Sequence, residues 1–298
     1  MGITLSSAAL LIKGKKDNIC FDSILTIGHQ RLFLSKKQIG KLAEHYDLSI
    51  DASASVEQEY ADDFLRKILG AKTVMSLDYA EYEGCDIIHD MNLPVDPKYY
   101  EAFDVVIDGG SLEHIFNFPV AIANCMKMVK KGGSLFILSV TNNHTGHGFY
   151  QFSPELFYRI FREENGFEIR SVILEKHRFP GAELSPSSKC YSVADPFTLK
   201  KRVGLVSRSP VLIMVHAIRT EIKEVFANSP IQSDYTSLYQ GGSDPAAAKT
   251  NPVSTGKKTA QKVYRLLPLR VKNFLNGKLQ LRNYSFRNRQ FYKRWQPF

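Results

Sequence analysis

Between Asp22 and about Leu174, short apolar runs alternate with stretches whose apolar residues recur every three or four positions. The runs predict buried strands at SILTIG (23–28), KTVMSLD (72–78), CDIIHD (85–90), FDVVIDGG (103–110), SLFILSV (134–140) and FEIRSVILE (167–175), with VLIMVHAIR (211–219) closing the series. Helical spacing lies between them. In SKKQIGKLAEHY, Ile39, Leu42, Ala43 and Tyr46 share a face behind a Ser35 N-cap. YADDFLRKILG predicts a second helix that Gly70 ends. PVAIANCMKMVKKGG predicts a third, with lysines in the last turn where the helix dipole favours them. SPELFYRIFREENG has Ser153 as cap, Pro154 at the first helical position and Gly166 as terminator. The long interval between Gly28 and Asp78 leaves room for extra helices.

This alternation predicts an α/β fold, a doubly wound and mainly parallel sheet with helices on both faces. Such sheets bind ligands beyond the C-terminal ends of their strands. Gly28, Asp78, Asp90 and Asp108 all fall at those ends, and Gly109 follows directly, so a single pocket is expected there. From about Ala227 the pattern fails. The expected organisation is a domain over 1–226, a linker over 227–258 and a basic, aromatic-rich segment over 259–298.

Charge sharpens that division. Of 39 Lys and Arg, 13 lie from Lys249 onward, and no acid follows Asp244, which leaves 26 basic against 30 acidic residues in the body. The net +9 therefore belongs to the tail. Its arginines and aromatic rings suit nucleic acid or an anionic membrane surface, and packing onto the domain or disorder is the plain alternative. Cys20, Cys85, Cys125 and Cys190 form no CxxC pair, so free thiols in a reducing, cytoplasmic setting are expected. No run reaches the ~18 apolar residues of a membrane span. The start, Met1-Gly2-Ile3-Thr4-Leu5-Ser6, fits the N-myristoylation pattern as well as an ordinary first segment.

The stretch FDVVIDGGSLEHIFNFPVAIANCMKMVKKGGSLFIL runs strand, Asp108, a Glu113-His114 loop, helix, Lys131-Gly132-Gly133, strand. In this it resembles class I S-adenosylmethionine-dependent methyltransferases, over roughly Asp22 to Arg219. GHGFYQFSPELFYRIF (146–161) is similar to a segment of bacterial members. The resemblance implies a seven-stranded sheet and S-adenosyl-L-methionine as cofactor. It places Asp90 at the adenine amino group and Asp108, with Gly109, on the methionine side. That donor carries no phosphate, so repeated loop glycines are not obligatory. Gly28 alone can admit close backbone approach, and Asp78 can accept from both ribose hydroxyls. The chain departs from the family where His29-Gln30-Arg31 replace the loop glycines; Arg31 is then a partner for the cofactor carboxylate, or the turn is solvated and the donor lost.

Methyl transfer to a hydroxyl needs a nearby proton acceptor. Glu113, His114 and His147 are the candidate catalytic residues, and His144, Tyr150 and Gln151 the candidate acceptor-binding ones. His114 has a second reading as a helix cap. His29 and His89 are expected to bond locally. No metal is expected: no HExxH, HxxxH or Cys cluster occurs among the eight histidines and four cysteines. A GxSxG elbow and a GxGxxG turn are also absent, against a hydrolase or a dehydrogenase. The expected function is O-methylation of a small molecule or saccharide, such as a bacterial surface-glycan precursor. A non-catalytic scaffold and a tail-guided RNA methyltransferase are the alternatives.

Overall fold

A computed structural model describes residues 2–48, 59–181, 185, 188–239, 264 and 266–296. The linker expected over 227–258 lies outside the described residues from 240 on, as do 259–263 of the segment after it. In chain order the strands are β1 (Gly2–Ile3), β2 (Ser23–Ile27), β3 (Arg31–Leu32), β4 (Thr73–Asp78), β5 (Ile87–Ile88), β6 (Phe103–Asp108), β7 (Val129–Asn142), β8 (Phe167–Lys176), β9 (Lys189–Val193), β10 (Val211–Arg219) and β11 (Tyr292–Trp295). The helices are α1 (Leu5–Lys16), α2 (Lys36–His45), α3 (Asp62–Lys67), α4 (Phe118–Met128), α5 (Pro154–Ile160), α6 (Pro196–Leu199), α7 (Ser233–Tyr239) and α8 (Leu269–Asn283).

The main sheet runs β11-β9-β8-β10-β7-β6-β2-β4-β5, and β1 pairs with β3 beside it. From β5 to β7 every pairing is parallel; from β7 to β11 every pairing is antiparallel. The sheet thus has nine strands among the described residues, where seven were expected. The two beyond the expected seven are β9 and β11, at one edge.

Period-two alternation buries both faces of the central strands. Val105 and Ile107 of β6 join the layer under α1, α2 and α3, while Val106 joins the layer under α4 and α5. Ser35 caps α2 by accepting from the Gln38 amide, and Ser153 caps α5 by accepting from the Leu156 amide, both as expected. Two helices end early. The expected third helix stops at Met128, because Val129 already pairs with Phe103 of β6, so Lys130 and Lys131 lie in β7. The helix opened by Ser153 stops at Ile160, and a 3₁₀ turn over Glu163–Asn165 leads to Gly166. In the interval before β4 stand α2 and α3, the extra helices expected there.

The C-terminal segment is divided. In α8, Leu269, Phe274, Leu279 and Leu281 stay exposed among Arg270, Lys272 and Lys278. Beyond it the chain returns to the domain: β11 pairs with β9, Tyr292 is buried, and its hydroxyl donates to the Gly204 carbonyl. No helix among the described residues is long and apolar enough to cross a membrane. All four cysteines are free, with Cys125 and Cys190 buried.

Candidate active site

A cleft with about 410 Å³ of space opens at the C-terminal ends of β2, β4 and β6. Its walls include Gly28, Asp78, Asp90, Met91, Ser111 and His114. Gly28 leaves β2 at φ +74°, a left-handed conformation that favours glycine, and a Cβ there would meet Ser111 Oγ at 3.0 Å and Asp78 Oδ2 at 3.8 Å. The Gly28 amide donates to the Leu77 carbonyl, which ties the turn to the strand end that carries Asp78. One Asp78 oxygen accepts from the Tyr79 amide at 2.6 Å. Asp90 sits just past β5, and its Oδ1 accepts from the amide and side chain of Asn92, which hold the carboxyl below its ordinary range. Gly28 and Asp78 therefore share one space, and among the described residues neither Lys nor Arg lines it.

The residues after Gly28 turn away from that space. His29 stacks on Tyr60 and bonds to the Glu83 carbonyl and Asp62. His89, by contrast, combines a local bond to the Leu93 carbonyl with a place in the cleft wall. Gln30 is buried, donates to the Ile27 carbonyl at 2.5 Å, and occupies the space a Cβ on Gly109 would need. Arg31 lies in β3, more than half exposed, with its guanidinium 3.8 Å from Glu83. Expected at the cofactor carboxylate, it is absent from the cleft wall, because pairing with β1 aims its strand elsewhere.

Asp108 and Gly109 also lie outside the cleft, lining a small apolar crevice with Leu10, Leu11 and Phe136. Asp108 is fully buried; its Oδ1 accepts from the Ser111 and Leu112 amides, and its Oδ2 has no partner. Burial, with the neighbouring Glu113 carboxyl, pushes its pKa well up. The carboxyl expected on the methionine side instead shapes the turn that presents Gly110 and Ser111, which do line the cleft.

Beyond His114 the cleft borders a second cluster. Glu113 is fully buried, accepts from Ser139 Oγ at 2.8 Å, and leaves Oε1 without a hydrogen bond. His147 Nε2 lies 3.4 Å from that oxygen. The His114 and His147 rings are 4.8 Å apart, and His144 is 6.1 Å from His147. Burial lowers the pKa of both His114 and His144, and His147 adds to it in each case. The loop that carries the two downstream histidines is fastened to Glu113, whose carbonyl accepts from the Phe149 and Tyr150 amides. Gly148, at φ +67°, passes so close that a Cβ would stand 2.7 Å from that carbonyl oxygen. Tyr150 donates to the Phe116 carbonyl, and Gln151 accepts from the His144 amide; neither lines the cleft. The sequence contains no metal-ligand motif, yet donor atoms of Glu113, His114 and His147 come within 4.8 Å of one another.

No family model matches the chain, and no curated protein does. Solved structures do. One is the trans-methyltransferase CalH complexed with SAH, at 13% identity over 72% of this chain, with a TM-score of 0.36. This chain spans 56% of CalH's length. Another is the SAM-dependent methyltransferase TM1293 from Thermotoga maritima, at 15% identity over 71% of this chain and 91% of that one, TM-score 0.33. A third, from Aquifex aeolicus, is a SAM-dependent methyltransferase at 11% identity over 72% of this chain and 98% of that one, TM-score 0.32.

Proposed function

We propose that the chain is an S-adenosylmethionine-dependent methyltransferase acting on a hydroxyl of a small molecule or saccharide. One observation carries the reading. The cleft at the parallel strand ends has an open glycine turn and the carboxylates Asp78 and Asp90, and among the described residues no Lys or Arg lines it. Diphosphate ligands are repelled there, whereas a ligand with a sulfonium, an ammonium and a ribose diol is attracted.

The residues fit that donor unevenly. Asp78 is positioned for a ribose diol, Asp90 and Met91 for an adenine edge, and Gly28 for close backbone approach. Arg31 and Asp108 are not positioned to hold its amino-acid end. When bound, S-adenosylmethionine supplies an electrophilic methyl group on positively charged sulfur. His114 holds an unprotonated ring nitrogen at the cleft wall near neutral pH, because burial disfavours its cation. It is placed to take the acceptor hydroxyl's proton, with His147 behind it. A peripheral contact of the basic α8 with an anionic membrane surface belongs to the same proposal, and co-sedimentation with acidic vesicles tests it.

Calorimetry with S-adenosylmethionine is the direct test. Saturable binding is expected, weakened about tenfold or more in Asp78→Asn and Asp90→Asn. Absence of heat at millimolar donor leaves a non-catalytic scaffold with a methyltransferase-like fold.

A further inference from the structure

We infer that Glu113, His114 and His147 form a binding site for one divalent transition-metal ion of the Zn²⁺ class, open on the side of the cleft. The fold brings a carboxylate oxygen and two imidazole nitrogens within 4.8 Å of one another, from the turn after β6 and the loop after β7. Glu113 Oε1 and His147 Nε2, at 3.4 Å, already stand at the separation of two ligands on one tetrahedral ion, about 3.3–3.4 Å for bond lengths of ~2.0–2.1 Å. His114 lines the open cleft, only partly covered by its neighbours, and its ring makes no hydrogen bond among the described residues that would hold it away from the other two.

A second observation points to a cation independently. Glu113 is wholly removed from water, yet its Oε1 accepts no hydrogen bond and faces only Nε2 of His147, itself without a hydrogen bond. A buried carboxylate with a single hydroxyl donor is costly unless a positive charge compensates it. Asp108, also fully buried, lies close enough to interact with it and supplies no positive charge. No lysine or arginine pairs with Glu113 among the described residues. An ion between Oε1 and the two imidazoles gives both Glu113 Oε1 and His147 Nε2 a partner. The mixed nitrogen and oxygen donor set suits Zn²⁺ or Co²⁺ over Mg²⁺, which prefers oxygen alone.

Three protein ligands leave a fourth position open, and His114, as a wall of the cleft, aims it there. With the ion bound, the His114 lone pair is committed and His114 no longer serves as the proton acceptor; an acceptor hydroxyl in the fourth position would instead be acidified by the ion's charge. His144, whose Nε2 is buried and unpaired, is then the nearest free imidazole for the proton. That catalytic role rests on the methyl-transfer reading; the binding of the ion does not.

The experiment uses the full chain, stripped with a chelator and dialysed. Titration with Co²⁺ is followed by its visible absorption, and titration with Zn²⁺ and Mg²⁺ by calorimetry. One Co²⁺ or Zn²⁺ per chain is expected, with the absorption of a four- or five-coordinate ion and little heat from Mg²⁺. Glu113→Gln and His147→Ala should each weaken Zn²⁺ at least tenfold, His147→Ala guarding against misfolding of the buried variant. Asp78→Asn should bind Zn²⁺ as the parent does while losing the donor, so failure of the methyl-transfer reading stays distinct from failure of this one. Uptake that is not saturable near one ion per chain, or that survives both ligand variants, overturns the site.

Discussion

Gly28 and Gly148 do different work at the same edge of the sheet. Gly28 opens the cleft beside Asp78 and Ser111, and Gly148 lets the histidine loop lie on the Glu113 carbonyl. Alanine at Gly28 forces a side chain into a left-handed conformation at ~1–2 kcal/mol and crowds Ser111 Oγ, which donates to the Ile27 carbonyl at 2.8 Å. Calorimetry on Gly28→Ala should show a severalfold loss of donor affinity with little change in the metal isotherm. Gly148→Ala should do the reverse, because its Cβ pushes on Glu113 and not on Asp78. Arg31→Ala should leave donor affinity within about twofold, since Arg31 is held at the surface near Glu83 and such pairs contribute ~0–1 kcal/mol.

Among the elements, β10 joins the parallel half of the sheet to the antiparallel edge, and it carries a titratable group inside the core. His216 is 4% exposed, lies 3.1 Å from Ser134 Oγ and stacks on Phe136 at 4.2 Å. Burial lowers its pKa to about 4. Between that value and about 6.5 the unfolded chain takes up a proton that the folded chain refuses. The contribution is therefore complete above about pH 6.5 and is lost as pH falls toward 4, about 3 kcal/mol in all. Urea melts of His216→Phe should show a shallower fall in stability between pH 6.5 and 4.5 than the parent, whatever the change at pH 7. The early end of α4 is settled at this scale too. Lys130 and Lys131 satisfy the rule for a helix C-terminus, but pairing of Val129 with Phe103 of β6 claims the backbone before them.

On the scale of the whole molecule, the basic C-terminal segment is partly an appendage and partly core. Tyr292 stands beside Lys293 and Arg294 as in a solvated tail, yet it packs in the layer under α4 and α5 while both cations stay exposed on an edge strand. Charged residues on an edge also discourage further strand addition. Tyr292→Ala should destabilise the fold by ~3–5 kcal/mol, and thermal melts should show it. A chain whose stability is indifferent to that change would make the segment a true tail.

Local pattern along the chain is enough for the alternating order of strands and helices, the N-caps at Ser35 and Ser153, and the glycine and acids at the strand ends. Each is local: a period of two or 3.6, a cap, or a turn residue within a few positions. It also marked Glu113, His114 and His147 individually, from their loops. Long-range packing brings Glu113 and His147 to 3.4 Å, takes Asp108 and Arg31 out of the cleft, and adds β9 and β11 to the sheet. Periodicity says which face a residue occupies and nothing about which distant strand or loop will meet it. That choice is made by pairing and burial across the whole chain.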